Sequence, residues 1–88
     1  NLDSEQLKQN ISPYLYEHKS IKAFKIIDNT DGSVFLQGYL ENKNIIFKEI
    51  PSNILTYKKI SKDIIVDNEN IGKLIVYVKN KNAIVLTT

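Results

Sequence analysis

The chain has 88 residues, of which 42% are hydrophobic and 25% are charged, and its formal net charge is +2. This is the composition of a folded domain rather than a disordered segment, and the length allows one small domain, 1–88. The absence of cysteine excludes disulfide scaffolds, thiolate-bound zinc and thiol nucleophiles. The sequence has no apolar run of about 18 residues, so no part of it is predicted to span a membrane.

Residues 3–20 carry the pattern of an amphipathic helix. Asp3 is placed to cap the helix start, and Gln6 follows in the capping-box position. One face of this helix carries Leu7, Ile11, Leu15 and His18. Because proline lacks an amide hydrogen and disfavours helical geometry in the preceding residue, Pro13 predicts a kinked helix or two short ones. The stripe is expected to pack on the rest of the domain, with a dimer contact as the alternative.

From residue 21 the apolar residues alternate, which is the period of a β-strand. Two segments, 28–32 and 67–72, each run from Asp-Asn through polar residues to glycine. These residue types tolerate the positive φ angles of tight hairpin turns. The sequence therefore predicts an α+β fold, in which an N-terminal helix packs on an antiparallel sheet of about five strands over residues 21–79, followed by a tail at 80–88.

The strand pattern also predicts individual positions. The second strand is expected to present on one face Val34, Leu36 and Leu40. It is expected to present on the other face Phe35, Gln37 and Tyr39. Gly38 is a predicted bulge or point of close backbone approach. The third strand is predicted at 45–50, closed by Pro51, with a loop or a single helical turn at 51–56. Residues 83–86 are a further strand or a linker.

No catalytic or metal-binding pattern is present in the sequence. His18 is the only histidine, so no histidine-based catalytic group or multi-histidine metal site can be formed. The carboxylates of Asp28, Asp31 and Asp67 do not have the register of a calcium loop and are interpreted as turn formers. We therefore predict no enzyme activity and no cofactor.

The aromatic and basic residues of the chain do not form a nucleic-acid-binding pattern. Phe35 with Tyr39, and Tyr57 with the following lysines, resemble an aromatic and basic pattern that can stack bases. The chain lacks arginine and the glycine-aromatic signature of an RNA-binding sheet, and its lysines are dispersed among acidic residues. No nucleic-acid partner is predicted.

Two stretches carry a resemblance to a known family. Residues 21–28, with Asp31 and Gly32, resemble the first strand and turn of the PAS-like extracytoplasmic sensor domains, the Cache or PDC group, of bacterial transmembrane receptors. Residues 64–78 are similar to the last hairpin of those domains, in which a short polar turn and an Ile-Gly pair precede an aliphatic strand. With the preceding helix, the resemblance covers most of residues 4–79.

The resemblance implies a non-catalytic signal-input domain on the extracytoplasmic face of a bacterial membrane protein, such as a sensor histidine kinase. The start at Asn1 without methionine indicates a piece of a longer protein, with membrane contact only through segments outside the chain. A weak homodimer through the N-terminal helix is expected. The alternative is a protein-interaction or dimerisation module on the cell surface.

The family's ligands usually lie on one sheet face beneath the connection between the second and third strands. Here residues 41–44 are too short to cover a pocket, so only the 51–56 segment could do so. The candidate ligand-binding residues near that segment are Tyr39, Lys48 and Tyr57, which supply hydroxyl and ammonium donors. The expected partner is a small molecule or another protein.

Overall fold

The computed structural model describes residues 3–79, which form one α-helix and a five-stranded antiparallel sheet. The elements are α1 (Ser4–Glu17), β1 (Ile21–Asp28), β2 (Val34–Glu41), β3 (Asn44–Ile46), β4 (Lys58–Val66) and β5 (Glu69–Val78). A 3₁₀ turn at Ile54–Thr56 lies in the connection between β3 and β4, as the sequence predicts. The predicted α+β fold is confirmed, whereas the segment 83–86 lies outside the described residues.

The strand order is β3-β2-β1-β5-β4, so β1 and β5 form the centre of the sheet. Phe24 pairs with Val76, and the neighbouring Ala23 pairs with Tyr77. Because side chains alternate along a strand, Phe24 and Val76 face one side of the sheet, and Ala23 and Tyr77 face the other. Each face has its own hydrophobic cluster.

Helix α1 covers the first of these faces. Ile11 and Leu15 of the predicted stripe are buried against Phe24, Ile26 and Val76. Half-buried Leu7 packs at the margin of this cluster. His18 lies one residue beyond the helix and is exposed, with its ring centroid 4.5 Å from that of Tyr14. The stripe therefore packs on the sheet as predicted, but His18 is not part of the core.

The helix is continuous through Pro13, so the alternative of two short helices is wrong, whereas a kink at Pro13 stays a prediction. Asp3 caps the helix as expected, since its carboxylate accepts hydrogen bonds from the amides of Glu5 and Gln6. Pro13 lies on the exposed side, where the loss of one hydrogen bond is tolerated, and the Ser12 hydroxyl donates to the Lys8 carbonyl oxygen at 2.6 Å. The apolar residues on both sides of Pro13 dock on the same sheet surface, which holds the helical path.

Replacing Pro13 with alanine is expected to raise the free energy of unfolding by about 1–3 kcal/mol, because alanine restores the amide donor and removes the ring from the helix interior. Urea unfolding followed by circular dichroism measures the change. Gln9→Ala, an exposed helical control, is expected to change stability by less than about 0.5 kcal/mol. A Pro13→Ala variant no more stable than the parent would show that the proline does not strain the helix.

The third strand is shorter than predicted and ends at Ile46 rather than at residue 50. The Lys48 amide donates to the Ile46 carbonyl oxygen at 3.1 Å, which turns the chain away from β2. Phe47 then lies on the helix face, with its ring edge-on to Phe24 at 6.0 Å and the Lys8 ammonium 5.1 Å from its centroid. The chain therefore leaves the β2–β3 ladder after Ile46, and Phe47 packs against an aromatic ring instead.

After Phe47 the chain crosses to the opposite face of the sheet. Ile50 and Ile54 are buried there against Ala23 and Tyr77. Residues 50–57 therefore cover the face that α1 leaves open, and both sides of the sheet centre are protected from water.

An irregularity in the β1–β2 pairing changes which residues of β2 face the helix. The register shifts between Ile26 and Ile27, so that Ile26 pairs with Leu36 but Ile27 pairs with Val34. Phe35 is consequently packed against the helix-side cluster, and Val34 is 43% exposed. The predicted common face for Val34 and Leu36 is wrong because the alternation assumed an unbroken ladder.

The two predicted hairpin turns lie side by side at one end of the sheet, here named the turn end. Asp67 and Asn68 have the positive φ angles of a tight two-residue turn, 52° and 64°. This turn is shorter than the predicted segment 67–72, because β5 begins at Glu69 and Gly72 pairs with Ile64 inside the ladder. Asn29 joins the turns through two hydrogen bonds. Its backbone amide donates to the backbone carbonyl oxygen of Ile71, and its side-chain amide donates to the backbone carbonyl oxygen of Asn70. The opposite end, where α1 leads into β1 and β5 ends, is named the exit end.

Candidate functional site

The three residues predicted to bind a ligand are only partly brought together. Tyr39 and Tyr57 are half-buried and pack against the cluster of Ala23, Ile50, Ile54 and Tyr77. Lys48 is exposed on the connection that follows β3. The role of these three residues in ligand binding stays a prediction.

A cavity of about 400 Å³ opens at the exit end of the sheet, between α1, the start of β1 and the β2–β3 turn. Its accessible apolar lining comes from Tyr16 and Leu40, since the side chain of Leu15, which also borders the cavity, is fully buried. Its polar lining comes from Asn42 and three lysines, Lys19, Lys22 and Lys43. We name this the basic cavity. The sequence pattern does not predict this cavity, because its lysines come from a helix–strand connection, a strand and a turn that only the fold brings together.

The ammonium groups of the basic cavity have little internal neutralisation. Within residues 3–79 the one ion pair joins Lys8 to Glu5 at 4.0 Å, and neither of these residues lines the basic cavity. Lys22 donates from Nζ to the Lys19 carbonyl oxygen at 3.0 Å, which keeps its ammonium group near the connection. Concentrated positive charge beside apolar side chains suits a ligand that carries both an anionic group and an apolar part.

The connection beside the basic cavity is hydrogen-bonded to the end of the last strand. The Lys79 amide donates to the Ser20 carbonyl oxygen at 3.2 Å, and the Ile21 amide donates to the His18 carbonyl oxygen at 3.0 Å. Ile21 also pairs with Val78 in the ladder. The end of α1, the start of β1 and the end of β5 therefore form one hydrogen-bonded unit, here named the exit junction.

A second cavity, of about 270 Å³, lies between α1 and the sheet nearer the turn end. It is lined mainly by apolar or aromatic side chains, including Leu7, Tyr14, Ile26 and Leu74, with Lys62 at its border. Its lining belongs largely to the helix–sheet contact, so we interpret it as a groove of the packing rather than as a site.

The acidic residues of the turns serve the turns themselves. The carboxylate of Asp28 accepts a hydrogen bond from the Thr30 amide at 2.8 Å. The Ser33 hydroxyl and amide donate to Asp31, and these bonds lower the pKa of Asp31 below its usual value. Among residues 3–79 no group of three or more His, Cys, Asp or Glu residues is arranged to hold a metal ion. These bonds support the interpretation of the aspartates as turn formers.

Comparison of the chain with protein-family models, curated proteins and solved structures found no match. Along residues 3–79 no helix combines the length and the apolar character that a membrane crossing needs. The features that bear on function are therefore the geometry of the fold, the basic cavity and the exit junction.

Proposed function

We propose that the chain is a non-catalytic signal-input domain on the extracytoplasmic face of a bacterial membrane-bound signalling protein, such as a sensor histidine kinase. The observation that supports this most directly is the hydrogen bond from the Lys79 amide to the Ser20 carbonyl oxygen. Ser20 lies between Lys19 and Lys22, which line the basic cavity, so this bond joins the connection beside the cavity to the end of β5, the point from which a signal would leave the domain.

The mechanism follows from the shared position of these parts. An occupant of the basic cavity would contact the end of α1 through Tyr16 and the start of β1 through Lys22. It would favour one arrangement of the exit junction, and β5 ends at that junction. The occupant can change the populations of the two arrangements only as far as it binds one of them more tightly than the other.

The positions of the two stretches that resemble PAS-like sensors also support the proposal. Residues 21–28 form β1, and residues 64–78 contain the end of β4 and the whole of β5. These two stretches are neighbours at the centre of the sheet, because β1 pairs with β5. One departure is clear, since the long connection follows β3, whereas β2 and β3 are joined by a two-residue turn.

The sensory proposal is tested by the reading frame of the parent gene and by the location of the domain. We expect hydrophobic spans on both sides of the domain and a cytoplasmic signalling domain after the second span. In intact cells that produce the full-length protein, a membrane-impermeant amine reagent should label the lysines of this domain. A soluble multidomain parent, or labelling only after cell lysis, would overturn the proposal.

A dimerisation module on the cell surface is the second candidate. The observation that favours it is apolar exposure on the edge strand β4, where Ile60, Ile65 and Val66 are 48%, 57% and 47% exposed. On α1, Tyr14 and Tyr16 are 39% and 50% exposed, which keeps the predicted homodimer through the helix open. Sedimentation equilibrium of the Tyr14→Ser and Ile65→Ser variants separates the two surfaces, because only the variant at the true contact should lose self-association.

A further inference from the structure

The charges of the chain are segregated along the strands of the sheet. The exit end and its immediate surroundings carry Lys19, Lys22, Lys43, Lys58 and Lys79. The acidic residues near them are Glu17 and Glu41, at the ends of α1 and β2. The two turns at the opposite end carry Asp28, Asp31, Asp67 and Glu69. One end is therefore predominantly basic and the other acidic.

The basic end also has apolar and aromatic groups beside its ammonium groups. Tyr16 is 50% exposed at the wall of the basic cavity, and Leu40 is half-buried within it. A tyrosine side chain has an apolar ring and a polar hydroxyl group, so it is suited to the boundary between lipid headgroups and acyl chains. Lysine side chains can lay their methylene groups along apolar surface while the ammonium group reaches a phosphate.

We propose that the exit end docks on an anionic lipid surface, with a headgroup phosphate bound in the basic cavity by Lys19, Lys22 and Lys43. The acidic turn end is repelled by the same surface, so the domain is oriented with β5 ending toward the membrane. This inference rests on the proposed function for the location beside a membrane. It goes beyond that function by giving the domain its own lipid contact.

Lipid fits these groups better than nucleic acid does. The chain has no arginine for bidentate contacts to bases, and the apolar wall formed by Tyr16 and Leu40 has no partner in a phosphate-sugar backbone. A lipid headgroup places a phosphate next to apolar glycerol and acyl groups, which matches a cavity with a basic rim and an apolar wall.

Vesicle co-sedimentation of the full chain tests the docking. We expect binding to vesicles of phosphatidylcholine that contain about one-third phosphatidylglycerol, no binding to pure phosphatidylcholine, and loss of binding as salt shortens the range of the electrostatic attraction. Each lysine near an anionic surface contributes about fivefold to affinity. The Lys19→Gln/Lys43→Gln variant should therefore bind the anionic vesicles about 25-fold more weakly.

The matched control is Lys62→Gln/Lys73→Gln, which removes the same net charge from the middle of β4 and from β5. All four lysines are exposed, and thermal unfolding checks that both variants fold. The control should keep nearly all of the vesicle binding. Equal losses in the two variants, or no binding of the parent chain to anionic vesicles, would overturn the proposal.

Two further binding experiments distinguish a lipid surface from other anionic ligands. Inorganic phosphate should shift the amide resonances of Lys22 and Lys43 only weakly, and any binding of a single-stranded oligonucleotide should be equal in the parent chain and in the Lys19→Gln/Lys43→Gln variant. Saturation by free phosphate, or oligonucleotide binding that is lost in the Lys19→Gln/Lys43→Gln variant, would overturn the lipid assignment. Failure of vesicle binding with membrane spans in the parent gene overturns this inference alone. A soluble parent overturns the proposed function.

Discussion

Replacing Phe24 with alanine is expected to lower the free energy of unfolding by about 3–5 kcal/mol. Phe24 is fully buried in the central strand β1 and belongs to the cluster formed with Ile11, Leu15 and Val76. Its ring also packs edge-on to Phe47 at 6.0 Å. Alanine leaves a cavity between α1 and the sheet that the surrounding strands, held by hydrogen bonds on both sides, cannot close.

Such a loss is a large share of the stability of a domain this small, since folded proteins are stable by only about 0.05–0.15 kcal/mol per residue. Urea unfolding of Phe24→Ala measures it, and Ile65→Ala is the control on the exposed edge strand. Because Ile65 is 57% exposed, its replacement should cost less than about 1 kcal/mol. Similar losses in the two variants would contradict the helix-side core described above.

Replacing Gly38 with alanine is expected to destabilise the domain by about 1–3 kcal/mol. A β-carbon at this position would lie 2.6 Å from the Ile46 carbonyl oxygen, 3.0 Å from Cε1 of Phe24 and 3.3 Å from Cα of Phe47. Two of these three atoms belong to the backbone of β3 and the residue after it, so the clash can be relieved only by moving that segment. The predicted close approach at Gly38 is confirmed, and it explains how the chain can turn so tightly after Ile46.

Gly32→Ala is the control for the cause of this effect. A β-carbon at Gly32 meets no atom within 4 Å, but the residue has a φ of 74° in the β1–β2 turn. Its replacement should therefore cost about 1–2 kcal/mol through backbone conformation alone. Amide chemical shifts separate the two causes, because Gly38→Ala should move the resonances of Ile46 and Phe47, whereas Gly32→Ala should leave them unchanged. Unchanged resonances in Gly38→Ala would contradict the packing described here.

Local chemistry made much of the fold predictable. The change from helical to alternating period at residue 21 marks the start of β1, and Asp-Asn marks both turns. The glycine belongs to the turn only in the first case, because Gly72 lies within β5. The cap by Asp3 was also predictable, since short acidic side chains satisfy the free amides of a helix start.

Long-range packing decided the features that the sequence pattern missed. Pro13 left a kinked helix or two short helices open, and the docking of Ile11 and Leu15 on one sheet surface keeps the helix in one piece. The strand at 45–50 is cut short because Phe47 packs against Phe24, which is remote in the sequence. The shift between Ile26 and Ile27 moves β2 out of its simple alternation without any glycine or proline at that point.

The candidate site was still less accessible to sequence reasoning. Lys19, Lys22 and Lys43 are ordinary surface residues when read along a chain with many lysines. Their common position depends on three elements meeting at the exit end, with Tyr16 and Leu40 forming the apolar wall beside them. The sequence places Tyr39, Lys48 and Tyr57 near one loop, yet Lys48 is exposed while the two tyrosines pack into a cluster.

The central claim is that the basic cavity and the end of β5 behave as one unit, and a covalent anion tests it without knowledge of the natural occupant. The chain has no cysteine, so Lys43→Cys provides a single attachment point at the cavity for a thiol reagent that carries a sulfonate group. Lys73→Cys, on β5 near the turn end, is the matched control.

Amide hydrogen exchange at Lys79, measured by NMR before and after labelling, reports on the bond to Ser20. Labelling at Lys43→Cys should slow exchange at Lys79 and Ile21, while labelling at Lys73→Cys should leave both rates unchanged. The same Lys79 exchange rate with and without the label in Lys43→Cys would contradict the coupling between the basic cavity and the end of β5.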